Sequence, residues 1–220
     1  MNKKLILVVA IPFLLAGCFK FPSKSNQSQN SSSVQPTSES SSSGGATTSN
    51  QPSEVGVREF DFTSTSITTG ANLKNETQLN KLKEFMNKDG EILNSITQES
   101  CTFQSLPDTE KTVLTVGTAS YAGSISFYFK YKITAIKAFL QGYCKHIVYS
   151  DVDTWSMDAN AKIDINGHEF ALGSTNENPP EVQEQTISFD NATNTITMSN
   201  DDAVQRAFVL KLEITYLLND

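Results

Sequence analysis

The sequence predicts a mainly β fold, an antiparallel two-sheet β-sandwich of jelly-roll-like form with one short α-helix near its start. Three observations lead to this prediction. After residue 55, apolar and polar residues alternate in most segments, only one segment has helical spacing, and Asn166-Gly167 is a strong β-hairpin signal. About eight short strands without alternating helices are typical of two sheets packed face to face. We therefore expect one folded β-sandwich domain over residues 55–220.

A strand and a helix open this domain. The residues from Val57 to Phe62 alternate between two faces and lead into a turn rich in Ser, Thr and Gly, which predicts a first strand. A helix is predicted next, because large apolar residues recur at helical spacing between Thr77, the expected N-cap, and Gly90, which ends the run. These apolar residues are Leu79, Leu82, Phe85 and Met86. Their stripe is interpreted as a face that covers the core rather than a groove for a partner.

The remaining elements are predicted to be strands, because their residues alternate with a period of two. The alternation is clearest in residues 125–130 and 206–216. In the second segment the expected inward face consists of Phe208, Leu210, Leu212, Ile214 and Tyr216. Further strands are predicted at residues 113–117, 133–140, 145–155, 161–165, 185–189 and 195–199.

The order of these segments carries a resemblance to a known kind of module. The stretches "REFDFTS", "LTVGTASYAGSISFYF", "AKIDINGHEF" and "RAFVLKLEITY" occur in the arrangement of a jelly-roll β-sandwich. They resemble modules on secreted and surface proteins of low-GC Gram-positive bacteria, over about residues 57 to 217. The resemblance implies that the first strand lies beside the strand over residues 206–216, and that the turn over residues 117–123 joins adjacent strands. It implies no settled activity, and the longer piece over residues 142–160 departs from the pattern.

The N-terminal segment predicts export and attachment to lipid. Two lysines precede an unbroken apolar run from Leu5 to Leu15, which has the length of a secretory signal rather than of a membrane span. The run ends in "LAGC", which resembles the signal of bacterial lipoproteins, in which the cysteine receives a diacylglyceryl group. The resemblance implies that residues 1–18 are a signal ending at an acylated Cys18. It also implies that the lipid bilayer is a partner and that the protein faces the extracellular side of the cell membrane. The alternative is an ordinary signal peptide that contains a cysteine.

A polar tract separates this segment from the folded domain. Residues 19–54 are rich in Ser, Thr, Asn and Gln and contain almost no large apolar side chains beyond the start of the tract. Such a composition cannot bury enough surface to offset the entropy of ordering the chain. We expect a disordered linker that reaches on the order of 30 Å.

Net charge and cysteines limit the partners and the cross-links. The formal net charge of −7, without a basic cluster to offset it, argues against nucleic acid as a partner. Besides Cys18 the chain contains Cys101 and Cys144, an even number in an exported protein. They are interpreted either as a disulfide or as two buried thiols.

Three acidic residues form the candidate metal site. Asp151, Asp153 and Asp158 lie close together in the sequence. Oxygen-rich loops of this kind can bind Ca²⁺, although these residues lack the spacing of an EF-hand. The alternative is a solvated loop, and the sequence predicts no cofactor.

Aromatic residues form the candidate ligand site. Trp155 is the only tryptophan, Tyr149 is close to it in the sequence, and Tyr128 falls on the polar face of its strand. An exposed aromatic ring beside hydrogen-bonding groups is what the apolar face of a sugar requires. The alternative is that Trp155 packs against one end of the sandwich core.

These features favour a non-catalytic surface module for binding or adhesion, with a glycan or a surface protein as its partner. A rigid domain held away from a membrane suits that role, and no catalytic motif with the expected spacing is present. Two other function classes stay open. One is a structural or scaffolding lipoprotein without a small ligand, and the other is a cell-surface hydrolase such as a glycosidase or an esterase.

Overall fold

The computed structural model describes residues 53–150, 152–173 and 179–219. The predicted signal with Cys18, nearly all of the predicted linker, and Asp151 lie outside the described residues. The prediction of a mainly β, antiparallel fold with one short helix near its start is confirmed. The strands are β1 Val55–Asp61, β2 Leu93–Glu99, β3 Cys101–Ser105, β4 Thr112–Val116, β5 Ser124–Gly142, β6 Cys144–Tyr149, β7 Val152–Met157, β8 Lys162–Ile165, β9 His168–Ala171, β10 Gln183–Ser199 and β11 Ala207–Leu217. The helix α1 spans Glu76–Asn87, and a short 3-10 turn spans Phe62–Ser64.

Nine strands of the described chain form one antiparallel sheet that is curled into two layers. The order is β3-β4-β11-β5-β10-β8-β9, with β1 added beside β11 and β2 beside β5. In one layer, residues 124–129 of β5 lie between β2 and residues 195–199 of β10. In the other layer, residues 133–142 of β5 lie between β11 and residues 183–188 of β10. The sandwich is therefore continuous through two long strands, and register shifts in β10 mark the corner between the layers.

The sequence prediction divided β5 into two strands, at residues 125–130 and 133–140. No turn-forming residue separates these segments, since Tyr131 and Lys132 occupy the corner. The chain therefore bends from one layer to the other without a loop. Inward-facing residues of both halves belong to the same main core. They include Ile125, Phe127, Phe129, Ile133, Ile136 and Leu140.

The helix covers the main core, as its apolar stripe predicted. Leu82 and Met86 are fully buried, and the other two residues of the stripe pack partly buried against the core. The N-cap is Asn75 rather than Thr77, because the Asn75 side-chain oxygen accepts the backbone N–H of Thr77 at 2.9 Å. With 12 residues, α1 is short, and no helix in the described part of the chain is long and apolar enough to span a bilayer.

The first strand has the neighbour that the resemblance implied, whereas the loop over residues 117–123 does not join adjacent strands. β1 pairs with β11 along its whole length, as the resemblance implied. The loop over residues 117–123 joins β4 to β5, but β11 lies between these strands, so they are not adjacent. The Asn166-Gly167 hairpin is confirmed between β8 and β9, and both residues adopt the positive φ that its turn requires, 50° and 87°.

β11 does not keep one alternating face, because Leu210 forms a β-bulge. The register with β5 shifts between Val209 and Lys211, which inserts one residue and reverses the alternation. Before the bulge, Val209 faces the main core and Phe208 faces a second apolar cluster on the outside of the sheet. After the bulge, Leu212 faces the main core. The predicted single inward face is therefore divided between two clusters.

A two-stranded hairpin formed by β6 and β7 covers this second cluster. The buried members of the cluster are Val113, Cys144 and Phe208, which come from three different strands. Tyr143, Trp155, Met157, Leu106 and Leu210 pack around them, partly buried. The hairpin is thus fastened to the outer face of the sandwich by an apolar base of its own.

The two cysteines lie far apart in the sheet and form no disulfide. Cys101 pairs with Val116, Val116 pairs with Ala207, and Ala207 pairs with Gly142, two residues before Cys144. Three strand spacings separate the two positions by about 14 Å, whereas a disulfide requires Cα atoms within about 7 Å. Both residues are buried free thiols. Burial raises the pKa of the Cys101 thiol to about 12, so this group stays neutral.

Candidate functional site

A cleft of about 470 Å³ lies between the β6–β7 hairpin and the turn that joins β3 to β4. One wall is the end of β3 with this turn, residues 104–109, and the other is the β6 side of the hairpin, residues 143–148. The lining mixes apolar side chains with charged and hydrogen-bonding ones. A concave site of this size and character suits a small polar ligand.

The hairpin was not predicted, since residues 145–155 were expected to form one strand. The turn lies at Ser150, which has a positive φ of 54°, and neither Gly nor Asn marks it in the sequence. In the observed register His146 lies opposite Trp155, and Tyr149 lies opposite Val152. Successive residues alternate between a face toward the sandwich and a face toward solvent.

The base of the hairpin is held by a buried ion pair. The carboxylate of Asp158 accepts the backbone N–H of Arg206 at 3.0 Å, its Nε at 2.7 Å and its Nη2 at 2.6 Å. The Asp158 side chain is only 5% exposed. The guanidinium also lies over the Tyr143 ring, 3.4 Å from its centroid. Asp158 therefore fixes the point at which the hairpin leaves and rejoins the sheet.

The predicted acidic group is not brought together. Asp158 follows β7 and binds Arg206 at the base of the hairpin. Asp153 lies within β7, five residues earlier and about 17 Å away in extended chain, and binds His146. Asp151 lies outside the described residues. In the described ranges no group of three His, Cys, Asp or Glu side chains is placed to hold a metal ion.

His146 is the centre of a charged network at the cleft. Its Nδ1 lies 2.6 Å from Oδ1 of Asp108, which belongs to the β3–β4 turn. Its Nε2 lies 2.5 Å from Oδ1 of Asp153, which belongs to β7. The Trp155 indole stacks on the imidazole ring, with centroids 4.5 Å apart and planes 8° from parallel. The hydrogen bond to Asp153, and next that to Asp108, raises the pKa of His146 above its usual value.

The geometry determines the protonation state of this histidine. An ionised carboxylate can only accept hydrogen bonds, so each ring nitrogen must carry a proton for both bonds to form. His146 is therefore an imidazolium in this arrangement. The stacked indole adds a favourable cation–π contact to the two charge-assisted hydrogen bonds.

The three candidate aromatic residues do not form one surface. Trp155 is half-buried, packs against the second cluster, and has one ring face covered by His146. Tyr149 is 78% exposed near the tip of the same hairpin. Tyr128 lies in the other layer, between Ser95 and Thr195 of the neighbouring strands. The hairpin therefore carries two of the candidates, and Tyr128 is apart from the cleft.

Asp108 and His146, which have the most specific contacts in the cleft, were not among the sequence candidates. They are 38 residues apart in the chain, and a single sequence has no signal for that contact. The pairing of His146 with Trp155 could have been found only by recognising the turn near Ser150. The signal in the sequence is the polar pair Ser150-Asp151, which lies in the middle of the 11 residues predicted as one strand.

Comparisons with known proteins returned only distant structural similarities. No protein-family model matches this sequence, and no curated protein matches it. A structure from work on glycan recognition in the Ruminococcus flavefaciens cellulosome is 14% identical, with 76% of this chain and 99% of that chain covered and a TM-score of 0.33. A mutant of the family 29 carbohydrate-binding module CBM29-2 is 9% identical, with coverages of 72% and 91% and a TM-score of 0.35. A further family 29 carbohydrate-binding module is 9% identical, with coverages of 72% and 88% and a TM-score of 0.35. Similarities of this size do not bear on what this chain binds.

Proposed function

We propose that this protein is a non-catalytic carbohydrate-binding module on the cell surface, and that the cleft beside the hairpin holds the sugar. The observation that carries the proposal is the mixed lining of the cleft. Leu106, Pro107 and Val148 supply apolar contacts, while Gln104 and Asp108 supply hydrogen-bonding groups. A sugar ring has an apolar C–H face and an edge of hydroxyl groups, and it needs both kinds of contact at once.

The state of His146 supports binding rather than catalysis. General acid–base catalysis needs a group that can give or take a proton at the substrate. Both nitrogens of His146 are bound to carboxylates, so neither has a lone pair free for a substrate. Asp108 and Asp153 are held on opposite sides of the same ring, and are not a pair that flanks an open space, as glycoside hydrolysis requires.

The first test compares two valines of the same hairpin. Val148 is 68% exposed and lines the cleft, whereas Val152 is 56% exposed and lies on the solvent side of the hairpin. We expect Val148→Ser to weaken binding of a glycan selected on an array by about tenfold, because covering a valine side chain contributes about 1.5 kcal/mol. Val152→Ser should leave the dissociation constant unchanged in the same titration. Equal effects of the two substitutions would place the ligand elsewhere, and absence of binding to any glycan would refute the proposal.

We also propose that Cys18 attaches the protein to the extracellular face of the membrane. The support is the sequence "LAGC" at the end of the apolar run from Leu5 to Leu15. We expect Cys18→Ala to abolish labelling with a fatty acid and to leave the protein in the soluble fraction or as an unprocessed precursor, since acyl chains supply the membrane affinity. Cys101→Ala, which removes a buried thiol, should keep the label. Normal labelling and processing of the Cys18→Ala protein would rule out this anchor.

A further inference from the structure

We infer that protonated His146 latches the hairpin to the β3–β4 turn and that loss of its proton releases the hairpin, so that the cleft opens and closes with pH. The latch consists of His146, Asp108 and Asp153. Its effect on ligand affinity rests on the proposed function, whereas the movement itself does not.

The contact between His146 and Asp108 joins the two walls of the cleft. His146 belongs to the hairpin wall and Asp108 to the turn. In the part of the chain that the structure describes, this is the only hydrogen bond between residues 106–111 and residues 143–157. Apolar contacts of Leu106 with the second cluster also join the walls. The polar connection between the two walls is therefore this one charge-assisted bond.

Removing one proton leaves the latch with one hydrogen bond. A neutral imidazole has a single N–H, so its other nitrogen presents a lone pair to a carboxylate oxygen at 2.5–2.6 Å, which is repulsive. Asp153 lies in the same two-stranded sheet as His146, opposite Val148, so its bond is kept in place by the hairpin ladder. Asp108 lies on a separate turn and can move away. The bond that is lost is thus the one that holds the cleft together.

The other charged groups near His146 do not replace this bond. Lys145 precedes it on β6 and shares the solvent face of the hairpin with Val152, while Arg206 at the base is occupied by Asp158. Cys144 is neutral across this range, because burial and then the charge of Asp108 raise its pKa to about 11. The second cluster beneath the hairpin contributes Val113 and Phe208, which are uncharged.

The direction of the pH effect follows from the raised pKa of His146. A histidine whose pKa is higher in the folded state contributes its full stabilisation below the unfolded value of about 6.5. That stabilisation is lost as the pH rises through the folded value. The latch is therefore closed in mildly acid solution and opens on the alkaline side of the usual histidine range.

Trp155 provides a direct probe of the latch. It is the only tryptophan and it stacks on His146, and the chain has only two histidines. We expect Trp155 fluorescence of the full chain to change in one step with a midpoint above about 6.5. His146→Gln should abolish the step, His168→Gln, an exposed position on β9, should keep it, and Asp108→Asn should lower its midpoint. A step that persists in His146→Gln, or a midpoint at or below the ordinary value, would overturn the latch.

A second measurement tests the opening itself and separates the latch from the proposed function. The protection of the amides of residues 144–149 from hydrogen exchange, corrected for the intrinsic rate at each pH, should fall above the midpoint in the wild type and be low at all pH values in His146→Gln. Affinity for the selected glycan should fall across the same midpoint, because an open cleft is not preorganised. Amide protection that does not change across the midpoint would refute the latch. Affinity that stays constant would refute pH-dependent binding while leaving the proposed function intact. A latch without glycan binding at any pH would refute only the proposed function.

Discussion

Replacing Asp158 with alanine should destabilise the folded domain by about 3–5 kcal/mol, because it leaves the Arg206 guanidinium buried without a counter-ion. The Asp158 carboxylate accepts three N–H groups and is almost fully buried. Chemical denaturation of the variant and the wild type at constant pH measures the loss. Loss of this ion pair also detaches the base of the hairpin from the sheet. Amide hydrogen exchange of residues 144–149 should therefore become faster at the same pH.

Two further variants make this prediction specific. Asp190→Ala removes an exposed aspartate from β10 and should change the free energy of unfolding by less than about 0.5 kcal/mol. The double variant Asp158→Leu with Arg206→Met should recover much of the loss, since apolar replacement of a whole buried ion pair is often neutral. A loss below about 1 kcal/mol in Asp158→Ala would contradict this prediction. It would show that the Arg206 guanidinium is solvated once Asp158 is removed.

The alternation of apolar residues predicted the fold class and most of the strands. Phe127 and Phe129 lie inward as expected, because a strand with one buried face has only one register that buries its large side chains. Where the strands bend could not be predicted in the same way. Tyr131 and Lys132 do not differ from ordinary strand residues, and the corner of β5 results from packing of the two layers.

The candidate site was predicted less well than the fold, because its geometry depends on contacts between distant parts of the chain. Trp155 and Tyr149 were chosen for their residue types and do lie on the hairpin beside the cleft. The residues that bind the hairpin to the rest of the domain are Asp108, 38 residues before His146, and Arg206, 48 residues after Asp158. Residue type identifies such side chains as candidates, but only the fold determines which of them meet.

Because of the bulge at Leu210, the side chain of Leu212 faces the main core. This side chain is 1% exposed in the main core, and its backbone pairs with Phe60 of β1 and Ala138 of β5. Leu212→Ala should therefore cost about 2–5 kcal/mol, the sum of lost burial and the cavity that remains. Thermal or chemical denaturation of the variant measures this cost.

Two neighbours serve as controls for Leu212→Ala and distinguish the bulged strand from a regular one. Lys211 is half-buried, with Nζ 3.3 Å from a carboxylate oxygen of Glu59, so Lys211→Ala should cost less than about 1 kcal/mol. In a regular strand Leu210 would share the face of Leu212 and be equally sensitive. The bulge instead directs Leu210 toward the second cluster, where it is only partly buried, so Leu210→Ala should cost clearly less than Leu212→Ala. Equal losses for the two leucines would mean that β11 is a regular strand with a single inward face, and the assignment of Phe208 and Leu212 to opposite sides of the sheet would then be wrong.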